Sequence, residues 1–203
     1  MMREGAVSFF IEYIQDNDND IIARQYCAMA LGNLASDPTI HEVIIEGEGI
    51  EALLVLLHTQ DPEGGKYAAF ALANLASDVE SRAIMVEKGA IPGLTYLACC
   101  DDVLAQQQAL TTLRAICLTY VHLQKVVDDG ILDPLILLSR NNADLKLLRE
   151  VATFLNVLST VDENKQAMAH RAMVSLTALM MHTDPIVEQQ AVSAIANIME
   201  DKV

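Results

Sequence analysis

The apolar positions of this chain recur on one helical face, and the whole pattern then recurs along the chain. Met29-Ala30-Leu31-Gly32-Asn33-Leu34-Ala35-Ser36 returns as Phe70-Ala71-Leu72-Ala73-Asn74-Leu75-Ala76-Ser77. Weaker copies stand at Thr111–Ile116, Thr153–Leu158 and Ser193–Ile198. The slot of Asn33 recurs at 74, 115, 157 and 197, in steps of 41, 41, 42 and 40 residues. A second apolar set follows a recurring glycine: Gly49, Gly89 and Gly130, with Arg171 in the next copy and Gly5 in the first. Beyond the slots from Gly49 onward lie Leu54 and Leu57, Leu94 and Leu97, Leu135 and Leu138, and Leu176 and Leu179. Each pair is spaced i, i+3, which puts both leucines on one helix face.

Each unit therefore predicts three helices. A short first helix precedes the glycine slot, near 38–47, 79–88, 119–128 and 162–169. A second follows it, near 5–15, 50–58, 90–99, 131–139 and 171–182. A long third helix carries the repeated phrase, near 21–35, 64–77, 103–117, 145–159 and 185–199. Pro92 and Pro134 fall in the first turn of second helices, where a missing N–H is tolerated. Asp20 and Asp144 are placed to cap third helices. Asp61–Gly65, Arg140–Asn142 and Thr183–Pro185 carry turn chemistry between second and third helices. A fixed period of this length marks units that bury their apolar faces only by stacking on one another. The expected fold is all-α: a right-handed α-solenoid of about five stacked three-helix repeats, the first incomplete. One domain is expected over 1–203, with repeats near 1–36, 37–77, 78–117, 118–159 and 160–203.

Composition narrows the class. The chain is 52% hydrophobic but only 4% aromatic, with no Trp, as stacked helices of Leu, Ala, Ile, Val and Met require. No uncharged apolar run is long enough for a spanning helix, so no membrane insertion is expected. Neither a secretory signal nor a myristoylation site opens the chain. Cys27, Cys99, Cys100 and Cys117 have neither zinc nor disulfide spacing. Cys27 and Cys117 read as buried thiols, and a reducing cytoplasmic or nuclear compartment is expected. The net charge of −15 disfavours nucleic acid and anionic membrane as partners.

The residues that carry the period closely resemble armadillo repeats. Ile84-Met85-Val86-Glu87-Lys88-Gly89-Ala90-Ile91-Pro92-Gly93-Leu94 matches the first part of that motif, and Ala68-Ala69-Phe70-Ala71-Leu72-Ala73-Asn74-Leu75-Ala76 the second. The resemblance runs the length of the chain. It implies that the third helices line a concave groove, facing it with the Asn slot and the positions four and eight residues before. Those rows are Gln25, Met29, Asn33; Lys66, Phe70, Asn74; Gln107, Thr111, Ala115; Arg149, Thr153, Val157; and Gln189, Ser193, Asn197. Residues at i, i+4 and i+8 share a helix face. This face is polar or mixed, whereas Leu31 and Leu34, Leu72 and Leu75, Leu113 and Ile116, and Leu155 and Leu158 are apolar and assigned to the core.

An Asn carboxamide can donate to and accept from the backbone of an extended peptide. The alternative is that these Asn residues cap or bridge adjacent helices. Phe70 has the same two readings, as an apolar anchor or as packing into the neighbouring repeat. The import-adaptor branch that the resemblance brings to mind places Trp four residues before each Asn. Here those positions hold Met29, Phe70, Thr111, Thr153 and Ser193, and Ala115 and Val157 break the ladder, which argues against import-cargo binding. Basic residues in the third helices (Arg24, Lys66, Arg114, Lys146, Arg149) outnumber the acids Glu150 and Glu188. A mildly basic groove favouring an acidic or neutral partner is one reading, and simple solubility of acidic loops is the other.

No catalytic or cofactor constellation is present. His41, His58, His122, His170 and His182 are scattered without metal spacing, and the glycines form neither a phosphate loop nor a nucleophile elbow. The expected function is a protein-interaction scaffold that takes an extended or helical segment in the third-helix groove, with Gln25, Met29, Asn33, Lys66, Phe70, Asn74, Gln107, Thr111, Arg114, Arg149, Thr153, Gln189, Ser193 and Asn197 as contact residues. The alternative is a regulatory segment docking on a neighbouring domain in cis, or self-association through the terminal repeats, with Phe9-Phe10-Ile11 as the adhesive surface.

Overall fold

The computed structural model describes residues 2–16, 18–59, 61–141 and 144–200. Among them are fourteen α-helices and one 3-10 turn, with no strand. By internal contacts the structure divides into two compact units, Met1–Thr119 and Tyr120–Val203.

The first unit holds α1 (Met2–Gln15) and α2 (Ile21–Leu34), then the 3-10 turn Pro38–Ile40 with α3 (His41–Glu46), α4 (Gly49–Leu57) and α5 (Pro62–Leu75), then α6 (Val79–Glu87), α7 (Ala90–Leu97) and α8 (Val103–Ile116). The long helices α2, α5 and α8 stack in order. Leu31, Leu72, Leu75, Leu113 and Ile116 are fully buried, as are the second-helix leucines Leu53, Leu56 and Leu94. Fully burying each such side chain contributes about 1.5–3 kcal/mol. Leu34, assigned to the core with them, is only half-buried.

The second unit holds α9 (His122–Asp128), α10 (Leu132–Asn141), α11 (Leu145–Ser159), α12 (Asp162–Arg171), α13 (Met173–Met180) and α14 (Pro185–Met199). Its long helices α11 and α14 pack together over a core of Leu155, Leu158, Leu135, Leu176 and Phe154.

Two polar devices recur. An aspartate caps every long helix after the incomplete first pair begins: Asp20, Asp61, Asp102, Asp144 and Asp184 each accept from backbone N–H groups of the first turn. These groups have no partner inside the helix. At the other end, a buried polar side chain of the following helix reaches back to a terminal carbonyl. His41 Nε2 lies 2.7 Å from the Ala35 carbonyl oxygen, Arg82 Nη1 donates to Ala76 at 2.8 Å, and Asn164 Nδ2 donates to Leu158 at 3.1 Å.

The glycine slots differ from one another in structure. The left-handed residue before the second helix is Gly89 (φ 84°) or Gly130 (φ 94°), but in the earlier copy it is Glu48 (φ 61°), not Gly49. Gly49 is needed for space instead: a Cβ there would lie 2.4 Å from Ile44 Cγ2. In the later copy Arg171 is the last residue of α12 and has no left-handed turn; its guanidinium pairs with Asp133. Gly5 lies inside α1 rather than ahead of it. Nor is Phe9-Phe10-Ile11 one exposed patch: Phe9 is 56% exposed, but Ile11 is buried against Gly47 and Gly49.

Candidate functional site

In the first unit, α2, α5 and α8 line an open cavity of about 370 Å³. Met29 and Asn33 come from α2, Lys66, Tyr67 and Phe70 from α5, and Leu104 and Gln108 from α8. Four of the expected contact residues, Met29, Asn33, Lys66 and Phe70, are thus brought together. Asn33 is exposed at the rim, and its carboxamide has no hydrogen-bond partner among the described residues. The Phe70 ring lies against Gly32, where a Cβ would sit 2.6 Å from Cδ1. Phe70 thus packs on the preceding repeat, and its ring also lines the cavity.

The other Asn positions are bridges. Asn74 Nδ2 donates to the Gly32 carbonyl at 2.9 Å. In the second unit Asn197 Nδ2 donates to Ser159 Oγ at 3.0 Å and to Asn156 Oδ1 at 3.3 Å.

The first residues of three of the five rows, Gln25, Lys66 and Arg149, have a partner in the next repeat. Gln25 Nε2 donates to Asp61 Oδ2 at 2.6 Å. Lys66 Nζ lies 2.6 Å from Glu63 and 3.8 Å from Asp102. In the second unit Arg149 forms a two-pronged pair with Asp184, at 3.1 Å through Nε and 2.6 Å through Nη2. Each acceptor among Asp61, Asp102 and Asp184 is the cap of the next long helix. The Arg149 guanidinium and the backbone N–H groups of Val187 and Ile186 hold the Asp184 carboxyl at about 2.

These pairs correct the expectation of a basic groove. Arg24 is buried, with Nε donating to the Ile14 carbonyl at 2.8 Å. Glu63 lies inside α5, which begins two residues earlier than the pattern suggested. With the caps included, the long helices of the first unit carry four acids (Asp20, Asp61, Glu63, Asp102) against three bases (Arg24, Lys66, Arg114).

Gln107, Thr111 and Arg114 are half-buried on α8. Thr153 and Ser193 are half-buried and Gln189 is exposed in the second unit. A larger hollow of about 550 Å³ lies off the long helices, with Glu42, Glu46, Asp78 and Glu80 in its walls.

No protein-family model and no curated protein matches the sequence. Solved structures match along nearly all of it. An engineered protein superposes with a TM-score of 0.82 at 28% identity, covering 95% of this chain and 78% of that one. A designed armadillo repeat protein in complex with the peptide (KR)4 superposes with a TM-score of 0.83 at 24% identity, covering 96% and 82%. An armadillo-repeats-only protein from Plasmodium falciparum superposes with a TM-score of 0.84 at 18% identity, covering 98% and 94%.

This chain has the armadillo-repeat fold.

The armadillo long helices supply every wall of the cavity, yet three of its residues lie off the expected rows. Tyr67 follows Lys66 by one position, and Leu104 and Gln108 form their own i, i+4 pair on α8. A signal for this pair was present: Leu104 is an apolar residue in the first turn of a helix, one turn ahead of a polar run, and it is 58% exposed.

Proposed function

We propose that this armadillo-fold chain is a binding module that takes an extended protein segment across α2, α5 and α8. The observation that carries this reading is the open cavity between the long helices, mostly apolar in its lining and rimmed by Asn33, whose carboxamide has no hydrogen-bond partner among the described residues. A carboxamide there can pair with a backbone N–H or C=O whatever the segment's side chains. Support comes from the solved neighbour that holds a peptide and from another described as designed for modular peptide recognition. Among the described residues, an acidic segment finds no open cation at the site, since Lys66 is already matched by Glu63 and Asp102.

Peptides selected by the full chain from a random phage-displayed library test this. Hydrogen exchange with a selected peptide bound should slow over 21–34, 62–75 and 103–116. Failure to select any peptide, or protection confined to first and second helices, sinks the reading.

Exposed apolar side chains in the last repeat, Val174, Met181 and Met199, favour a second reading in which copies associate. Light scattering over a concentration series decides it: a constant monomer mass excludes that association.

A further inference from the structure

Resting on that reading, we infer that the seat between Tyr67, Phe70 and Leu104 takes one bulky, uncharged apolar side chain of the segment, with a lysine or arginine beside it that meets Glu63 and Asp102.

Size and lining select the anchor. At about 370 Å³ the cavity is at the small end of ligand pockets, which run from roughly 300 to 1,000 Å³. That space suits one side chain with its adjoining backbone. Its lining is mostly apolar, with two aromatic rings, a leucine and a thioether, beside the polar Asn33, Lys66 and Gln108. Leu104 is 58% exposed, so an aromatic or long aliphatic group there removes apolar surface from water on both partners. Met29 adds an adaptable wall, and aromatic anchors are common centres of binding energy. The seat is also preformed. Gly32 backs the Phe70 ring, and Asn74 ties α5 to α2 through the Gly32 carbonyl. A ligand therefore has little left to order, which is a main cost of association.

Charge selects the neighbour. Among the described residues, Lys66 is the one cation lining the seat; its side chain is 15% exposed and lies between Glu63 and Asp102, 5.2 Å from the centre of the Tyr67 ring. It is compensated before any ligand arrives. The side chains of Glu63 and Asp102 remain 49% and 34% exposed. A carboxylate on the segment would meet two carboxylates and one matched lysine, whereas a cation would meet acids with surface to spare. Rim charges act mainly on encounter rate and selectivity, so the flank discriminates while the anchor holds.

The test uses the full chain and peptides selected from the random library, made as fluorescein conjugates and read by anisotropy. Selected peptides should share an aromatic or long aliphatic residue next to a lysine or arginine. Replacing that anchor by alanine should weaken binding about tenfold to thirtyfold. Leu104→Lys fills the seat at an exposed position and should weaken binding about tenfold; unchanged circular dichroism shows that the fold stands. Glu63→Gln should cost about threefold and reduce the salt dependence. If selected peptides are acidic, or bind wild type and Leu104→Lys equally, the anchor is refuted. The third-helix reading survives that result when exchange protection still maps to α2, α5 and α8. No selected peptide at all refutes both.

Discussion

Gly32→Ala pits two effects of known sign against each other at the seam between α2 and α5. Gly32 is buried within α2, so alanine gains about 1 kcal/mol of helix propensity. The new Cβ would lie 2.6 and 2.8 Å from Phe70 Cδ1 and Cε1, and 3.3 Å from the Cα of Ala71. The ring can swing toward the cavity, but the Ala71 backbone cannot, and the Asn74–Gly32 bond resists a shift of the whole helix. Overpacking of this kind costs about 1–3 kcal/mol. With the central cost of about 2 kcal/mol set against the propensity gain, net destabilisation is about 1 kcal/mol. Phe70→Leu removes the ring, so Gly32→Ala made in that background should stabilise by up to about 1 kcal/mol. The coupling between the two sites is then about 2 kcal/mol, well above the error of additivity for distant sites. Urea unfolding followed by far-ultraviolet circular dichroism measures all four corners of the cycle, with midpoints compared at unchanged slope. If Gly32→Ala stabilises the wild-type background as much as it stabilises Phe70→Leu, the ring does not rest on the glycine and the preformed seat is wrong.

Three further outcomes are expected. The Asp184 carboxyl, held at about 2 against an ordinary value of 3.8, is depressed in the folded state, so its contribution is complete above the ordinary value and lost as pH falls toward 2; Asp184→Asn should flatten the acid limb of a melting-temperature profile. Asn164→Ala leaves the Leu123 and Leu158 carbonyls without their buried donor and should cost about 1–3 kcal/mol in thermal unfolding, whereas the exposed Asn33→Ala should stay within about 0.5 kcal/mol. Glu48→Gly relieves a left-handed side-chain residue and should raise the unfolding free energy in urea by about 0.5–1 kcal/mol, a gain absent if glycine is placed at exposed Glu46 in α3.

The long helices were readable nearly to their ends because three signals coincide there: an apolar period, a cap and a turn. The glycine register was less readable because glycine serves two purposes. At Gly89 it supplies a left-handed backbone, while at Gly49 it makes room for Ile44. A pattern of letters equates them, and the true left-handed position fell on Glu48. The cavity was half legible. Met29, Asn33, Lys66 and Phe70 follow from one helix face, but Tyr67, Leu104 and Gln108 enter because the stack presents an adjoining face of the next helix. The charge balance misled for a related reason. Lys66 and Arg149 count as basic residues in the third helices, but Lys66 pairs with Glu63, which lies ahead of the helix start that the pattern suggests, and Arg149 pairs with Asp184, 35 residues further on and outside any local window. The aspartates at 20, 61, 102, 144 and 184 keep the same step as the Asn slot and were the available clue.

The capping aspartates also bear on how such a protein can be cut and rejoined. Asp61, Asp102 and Asp184 each start a helix in their own repeat and receive a side chain from the one before. The seams are not interchangeable: one is closed by an amide, one by a loosely placed ammonium, one by a two-pronged guanidinium. A repeat moved to another place carries its donor forward and leaves its old acceptor behind. Transplanting a unit therefore preserves each cap but mismatches two seams, and a recombined array needs its donors at positions 25, 66 and 149 exchanged together with the repeats that follow them.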